Sequence, residues 1–412
     1  MQIEEREIEA DQVRLGMFVS RLDRPWTETP FPLQGFEVRE LDEITQLRHY
    51  CRRVWIDVEL SALGGRMRPQ VLATPTTAAA PQPPAPRRER ADTRIGAVRY
   101  EDRVEFEREL PAARDALESA VATIGGMVDQ ARGHQPILPD VAHAAACPIV
   151  DSVLRNADAV FWLNSLRRRD GYAYSHALNC ATLAAAFGRH LGLAQDFLVE
   201  LAIGAMLMDI GKTQVPDTLL QHPGPLDAMS MARVRRHVEL GTQALGDGAF
   251  SQIVREVVAG HHERIDGSGY PLRRSARDIP LHVRIAAIID SFDAMTSARP
   301  HAPAMARHVA LQELYRLRDT RYHAELIEQF ISCLGVYPTG SLAELNTGEI
   351  VAVMSQNAAR RLRPRVLVLT DTDGRMMPSF RTLDLLDTST EIEIRRPLPD
   401  RHAGIDLAEL YL

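Results

Sequence analysis

Histidine beside aspartate is the first chemical signal in this 412-residue chain. Seven of the fourteen histidines fall between His176 and His282, several near aspartate on strongly apolar stretches where a bare polar group is costly to bury. In order, the candidates are His176 in YSHAL, Asp209 and Lys212 in MLMDIGK, His237 in RRHVELG, His261 and His262 in AGHHERIDGSGYP, and Asp290 in AAIIDSFDAMTSARP. Imidazole and carboxylate are the nitrogen and oxygen donors that iron, manganese, zinc or nickel accept, and four histidines with two aspartates suffice for two ions if one carboxylate bridges them. Two such ions activate water and clamp a phosphoryl oxygen, so the chemistry in view is phosphodiester hydrolysis near neutral pH. The plainer reading stands beside it. A single histidine is more often a satisfied core or surface residue, Asp209 reads as a helix-end carboxylate paired with Lys212 one turn on, and Asp290 as a cap or ion-pair partner.

The run Asp266-Gly-Ser-Gly-Tyr-Pro follows the histidine pair directly. Its glycines permit positive φ and close approach of backbone to a ligand. Alone it is a turn. Beside two imidazoles it makes one wall of a pocket, with Tyr270 offering a ring face and a hydroxyl to a base or a phosphate.

These residues need elements to hold them. Over 100–335 strand signals nearly vanish and apolar residues recur at three and four spacing, as in Val121, Ile124 and Val128, or Leu178, Leu183, Phe187 and Leu191. The expectation is a mainly α protein, an all-helical bundle. Residues 1–60 alternate short β-type segments (MFVSRL, FEVREL, RVWIDVEL) with one helical run from about Leu41 to Arg53, a small α/β accessory domain. Six prolines among alanines and threonines from Pro69 to Pro86, then RRER, make 61–99 a disordered linker. Residues 336–412 read as a β-rich extension: SLAELNTGEIVAVMS holds two strands around Asn-Thr-Gly, and PRVLVLT and EIEIRR flank Asp-Thr-Asp-Gly.

Composition narrows the function classes. Lysine plus arginine total 48 against 55 acids, a formal charge of −7, so nothing draws the whole chain to a nucleic-acid polymer or an anionic membrane. A small anionic ligand would need local basic groups. Four scattered cysteines without a CxxC pair write neither a disulfide framework nor a thiolate zinc site, which fits a reducing cytoplasm. The acidic N-terminus does not resemble a signal peptide, and the most apolar stretch, 198–210, is short and broken by Glu200 and Asp209, so no membrane span is expected.

Taken together, YAYSH, MDIGKTQVPD, RRHVELG, HHERIDGSGYP and DSFDAMTSARP, over 172–330, resemble the HD-GYP phosphodiesterases, bacterial relatives of the HD metal-dependent phosphohydrolases that hydrolyse cyclic di-GMP. The N-terminal segment is similar to an accessory domain often placed ahead of such domains, and GVYPTGSLAELNTGEIVAV to an extension that often follows them. The resemblance implies that His176, Asp209, His237, His261, His262 and Asp290 hold one or two divalent transition-metal ions, iron or manganese, with Asp209 bridging. It implies that Lys212 lies near the scissile phosphate, that Gly269, Tyr270 and Pro271 form the signature loop, and that Arg299 contacts phosphate through its fork.

The chain also departs from the pattern. Met208 stands where the family has the first histidine of its HD pair, and a thioether is a soft, weak donor for Fe(II) or Mn(II), so one ion is expected to bind less tightly. Tyr172 replaces an acid associated with a third ion, Ala302 a basic residue, and Ile265 a tryptophan. Two functions follow. One is a cyclic di-GMP phosphodiesterase releasing pGpG and then GMP. The other is an impaired module that binds the nucleotide or a signalling partner such as a diguanylate cyclase, in either case with homodimerisation in view. A purely structural helical scaffold would leave the buried aspartates and imidazoles without partners.

Overall fold

The computed structural model describes residues 5–23, 36–38, 41–57, 94–167, 172–246, 248, 250–299, 302–357, 360–387, 391–400 and 402–410. They fall into two units, Met1–Glu89 and Arg90–Leu412. In the first, β1 (Glu5–Glu9), β2 (Phe18–Leu22), β3 (Phe36–Glu37) and β4 (Arg53–Asp57) form an antiparallel sheet in the order β1-β4-β2-β3, accompanied by α1 (Leu41–Tyr50). Val19, Val38, Leu47 and Val54 are fully enclosed in its core. The linker expected at 61–99 lies outside the described residues as far as residue 93.

The second unit begins with α2 (Phe106–Arg132), α3 (Pro139–Arg155), α4 (Ala157–Leu166), α5 (Tyr172–His190) and α6 (Gln195–Leu207). Buried Glu109 ties α2 to α3 by accepting two bonds from Arg155, both 2.8 Å, and one from Ser152 at 2.6 Å. Asn156 opens α4 by accepting from the Ala159 N–H at 3.1 Å. Helix α6 is apolar on every side because it is central: Leu198, Leu201, Ile203, Ala205 and Leu207 are at most 1% exposed. After a 3₁₀ turn (Ile210–Gln214) come α7 (Asp217–Leu220), α8 (Ala228–Arg235), α9 (His237–Ala244), α10 (Gln252–Gly260), α11 (Leu281–Thr296), α12 (Arg307–Arg316) and α13 (Ala324–Leu334). Ser251 caps α10 through the Val254 N–H at 3.3 Å. Among the described residues no helix is long and apolar enough to cross a membrane.

The same unit ends in β5 (Leu342–Leu345), β6 (Ile350–Ser355), β7 (Arg365–Thr370), β8 (Met376–Asp384) and β9 (Ile394–Pro397), an antiparallel sheet in the order β8-β7-β6-β5-β9. Ala352, Met354, Leu367 and Leu369 join the helical core, while Val351, Val353, Val366 and Val368 fill a second core on the other face. Both faces being buried, these strands read as continuous apolar runs rather than alternation. Strand β8 has no counterpart in the sequence reading, which passed from the Asp-Thr-Asp-Gly turn straight to 391–396. It lies at the sheet edge with most of its residues exposed and Pro378 inside it, so it lacks the apolar alternation that marks a strand.

Candidate metal centre

Five segments of the helical body deliver the six candidate ligands. His176 sits on α5 and Asp290 on α11; His237 is the first residue of α9; His261 and His262 follow α10 directly. Asp209 stands where α6 ends, at φ −99° and ψ 5°, between Met208 and the 3₁₀ turn. Gly211 allows that turn to lie on α9, since a Cβ there would run into the His237 carbonyl and the Gly241 N–H. Gly269 is equally constrained: a Cβ would strike the backbone of His262, Glu263 and Arg264. The loop is tied back by Tyr270 N–H donating to the His262 carbonyl at 3.2 Å, and by the buried Glu263 carboxylate accepting from the N–H groups of Leu272 at 2.7 Å and Arg274 at 2.9 Å.

The six side chains meet at Asp209. Its Oδ1 lies 3.3 Å from His237 Nε2 and 3.6 Å from His261 Nε2, and its Oδ2 lies 3.2 Å from His176 Nε2. His176 Nε2 is 3.6 Å from Asp290 Oδ1, and Asp290 Oδ2 is 3.4 Å from His262 Nδ1. Two donor groups result, sharing Asp209: Asp209, His237, His261 and His262 form one, His176, Asp209 and Asp290 the other. His190, His222 and His282 stand apart, paired with Gln329, the Gly224 backbone and Glu256.

The tautomers decide what the centre can hold. His237 Nδ1 donates to the Val234 carbonyl at 2.8 Å and His261 Nδ1 to the Val258 carbonyl at 3.1 Å, and a carbonyl can only accept. Both Nε2 atoms therefore present lone pairs, and they face each other at 3.4 Å. Burial pushes His237 down to about 4, so its own ring brings no imidazolium proton to the contact. His262 is likewise held well below the ordinary range by burial and the neighbouring imidazoles. Asp209 Oδ1 is buried and accepts no hydrogen bond. Imidazole nitrogens converging on a buried carboxylate oxygen that accepts no hydrogen bond fit a divalent cation. His176 repeats the pattern, its Nδ1 directed by Asp293 Oδ2 at 2.7 Å so that Nε2 faces Asp209 and Asp290.

Asp293 in turn accepts from Asn179 Nδ2 at 2.6 Å, and Asn179 Oδ1 accepts from Asn164 on α4 at 2.7 Å. The sequence reading did not single out Asp293, Asn179 or Glu263. Asp293 carried a usable signal, a second carboxylate one turn after Asp290 on a helix apolar all round; the asparagines carried none. Cys180 Sγ is 3.7 Å from His176 Nδ1, and burial pushes its thiol up to about 12, so it stands there protonated. Met208 is fully buried in the helical core.

The centre opens onto a cavity of about 740 Å³, within the size range of small-molecule sites. Asp209, Lys212, His237, His262, Tyr270 and Arg299 share its wall with apolar side chains of α2 and α6. The Lys212 ammonium donates to Asp209 Oδ2. Burial alone would raise the Asp209 carboxyl, but Lys212 and the imidazoles outweigh it and hold the group well below the carboxylate range. Arg299 is held through its backbone, donating to Ala302 O at 2.9 Å and accepting from Ala302 N at 3.1 Å, and its buried Nε has no hydrogen-bond partner. Tyr270 packs on His262 with centroids 4.6 Å apart and carries Arg235 at 4.8 Å from its ring centre. Burial and the nearby carboxylates raise its phenol, which stays protonated. Within the loop Gly269 is buried and Pro271 is exposed. Tyr172 lies at the limit of the described residues, and its side chain is outside them.

A helical body that gathers imidazoles around a shared aspartate at the mouth of such a cavity defines a divalent-metal phosphohydrolase of the HD type. The HD-domain family matches residues 157–326, a domain of unknown function matches 5–142, and a KOW domain associated with HD domains matches 342–398. A cyclic di-GMP phosphodiesterase of Pseudomonas aeruginosa is 32% identical over 413 residues, covering 98% of this chain and 93% of that protein. A 3′3′-cGAMP-specific phosphodiesterase of Vibrio cholerae is 37% identical over 155 residues, 37% of this chain and 29% of its own length. An HDG"Y"P protein of Bdellovibrio bacteriovorus matches in structure with a TM-score of 0.46 and 14% identity, over 80% of this chain and 99% of that one. The chain belongs to the HD-GYP phosphodiesterase family, with the accessory N-terminal domain. These relatives do not favour a module that only binds.

Proposed function

We propose that the chain hydrolyses cyclic di-GMP to linear pGpG and onward to GMP. The observation that carries this reading is the convergence of imidazole nitrogens and carboxylate oxygens on Asp209 at the wall of a cavity that also presents Lys212 and Arg299. A divalent ion bound there lowers the pKa of water and withdraws charge from a phosphoryl oxygen. Asp209, His237, His261 and His262 would hold one ion, and His176, Asp209 and Asp290 would hold a second. Arg299 directs its unpaired Nε and its fork at the phosphate, and Lys212 offsets charge on the bridging carboxylate and on the departing oxygen. Tyr270, seated by Gly269 and Pro271, borders the nucleotide and helps hold the phosphodiester in line for attack by water.

An imidazole and carboxylate donor set without thiolate suits iron or manganese. Free cysteines suit a reducing cytoplasm. A diguanylate cyclase, another signalling protein or a second copy of the chain is the partner such an enzyme would meet there.

The test is direct. Full-length protein loaded with Mn(II), or with Fe(II) under reducing conditions, is expected to convert cyclic di-GMP to pGpG and to stop when a chelator strips the ion. Metal-loaded protein that leaves cyclic di-GMP intact would sink the reading, and cleavage of 3′3′-cGAMP alone would move it to that substrate.

A further inference from the structure

A second cavity, of about 450 Å³, lies at the other end of α5. Residues 96–102, the last turns of α5 and α13, and the segment after β6 enclose it. The 96–98 segment is pinned there by Gly96 N–H to the Leu191 carbonyl at 2.8 Å and Val98 N–H to the Gly192 carbonyl at 2.9 Å. His176 and Arg189 are thirteen residues apart on one helix, about 20 Å at 1.5 Å per residue, so this cavity and the metal centre do not overlap.

Its charged lining is uneven. Arg99, Arg189 and Arg361 face it against two carboxylates, Asp102 and Asp158. Arg361 is largely enclosed, donates to the Ser332 carbonyl and hydroxyl, and among the described residues has no carboxylate at ion-pair distance. Arg189 spends Nη2 on Asp102 at 2.8 Å while its buried Nε has no partner. Asp158 is already committed, accepting from Thr339 Oγ1 at 2.7 Å and Gln356 N–H at 2.8 Å. His190 bonds Gln329, and burial keeps it below its ordinary range and hence neutral. Enclosed guanidinium without a counter-charge is costly, and an oxyanion matched to its fork removes the cost.

We propose that this cavity is a ligand site separate from the metal centre, taking a phosphate-bearing small molecule of mononucleotide size through Arg189 and Arg361. Its volume exceeds what a bare phosphate fills and lies in the range of small-molecule sites, and Tyr100 and Phe161 supply apolar wall for the remainder of the ligand. The assignment does not depend on which cyclic dinucleotide is cleaved elsewhere.

Calorimetric titration of the full-length chain with 5′-GMP, and with inorganic phosphate as competitor, tests it. Asp209→Ala, which dismantles the metal centre, is expected to keep saturable GMP binding at unchanged Kd. Arg361→Gln is expected to weaken it about tenfold or more, the loss of a charge-assisted bond pair. Arg99→Glu, at an 88% exposed side chain that folding does not need, should weaken it about threefold or more. Phosphate should compete in the unmodified chain. Loss of binding in Asp209→Ala, unchanged binding in both arginine variants, or failure of phosphate to compete would each overturn the proposal.

Discussion

At the scale of the residue, the two halves of the centre differ in what holds them. His237 and His261 are oriented by main-chain carbonyls, His176 by the side chain of Asp293. Removing that carboxylate frees the His176 ring, so Asp293→Ala should lower metal affinity about 10- to 100-fold, as loss of an outer-shell partner does. Metal titration of the purified variant gives the number, and an unchanged affinity would mean that packing alone orients the imidazole. Met208 immediately precedes the shared ligand Asp209. Replacing it with histidine, Met208→His, should tighten the weaker ion by about tenfold or more, seen as slower loss of metal to a competing chelator; identical loss curves would show that no ligand was lacking. The ligand types and their order were legible from motif alone, because imidazole and carboxylate on apolar segments are conspicuous. The hydrogen-bonded chain through Asp293, Asn179 and Asn164 was not, since it joins residues on three helices.

Among the elements, close approach is the governing requirement. The turn carrying Asp209 rests on α9, and Gly211 is the contact point. Gly211→Ala should push the two apart at a cost of about 1–3 kcal/mol, the range for overpacking, with α9 and His237 displaced together. Thermal unfolding and metal content should therefore both fall; a stable protein with full metal content would show that the turn has room to move. A helical body was readable from its three and four spacing, and α6 from an apolar stretch interrupted within the helix only by Glu200 after its first turn. Strand β8 was not, because an exposed edge leaves no period-two pattern in its residues.

On the scale of the whole second unit, the helices and the C-terminal sheet share one core, and Asp158 on α4 crosses between them to Thr339 and Gln356. Desolvation pushes its carboxyl up to about 6 from an ordinary 3.8, although both hydrogen bonds act the other way. A raised acid favours the folded state while it stays protonated, so its contribution is complete below about pH 4 and is lost as pH rises through about 6. Asp158→Asn keeps an acceptor for Gln356 and removes the titration. Its melting temperature relative to the parent should climb between pH 4 and 7, by about 2–4 °C for each kcal/mol recovered, and a difference flat with pH would refute the assignment. The peptide oxygens at Val234 and Val258 have a longer consequence. They persist whatever amino acid mutation installs at those codons, whereas a single base change can delete the acid at 293. Erosion over generations is thereby channelled toward the His176 side, whose imidazole hangs on a replaceable side chain.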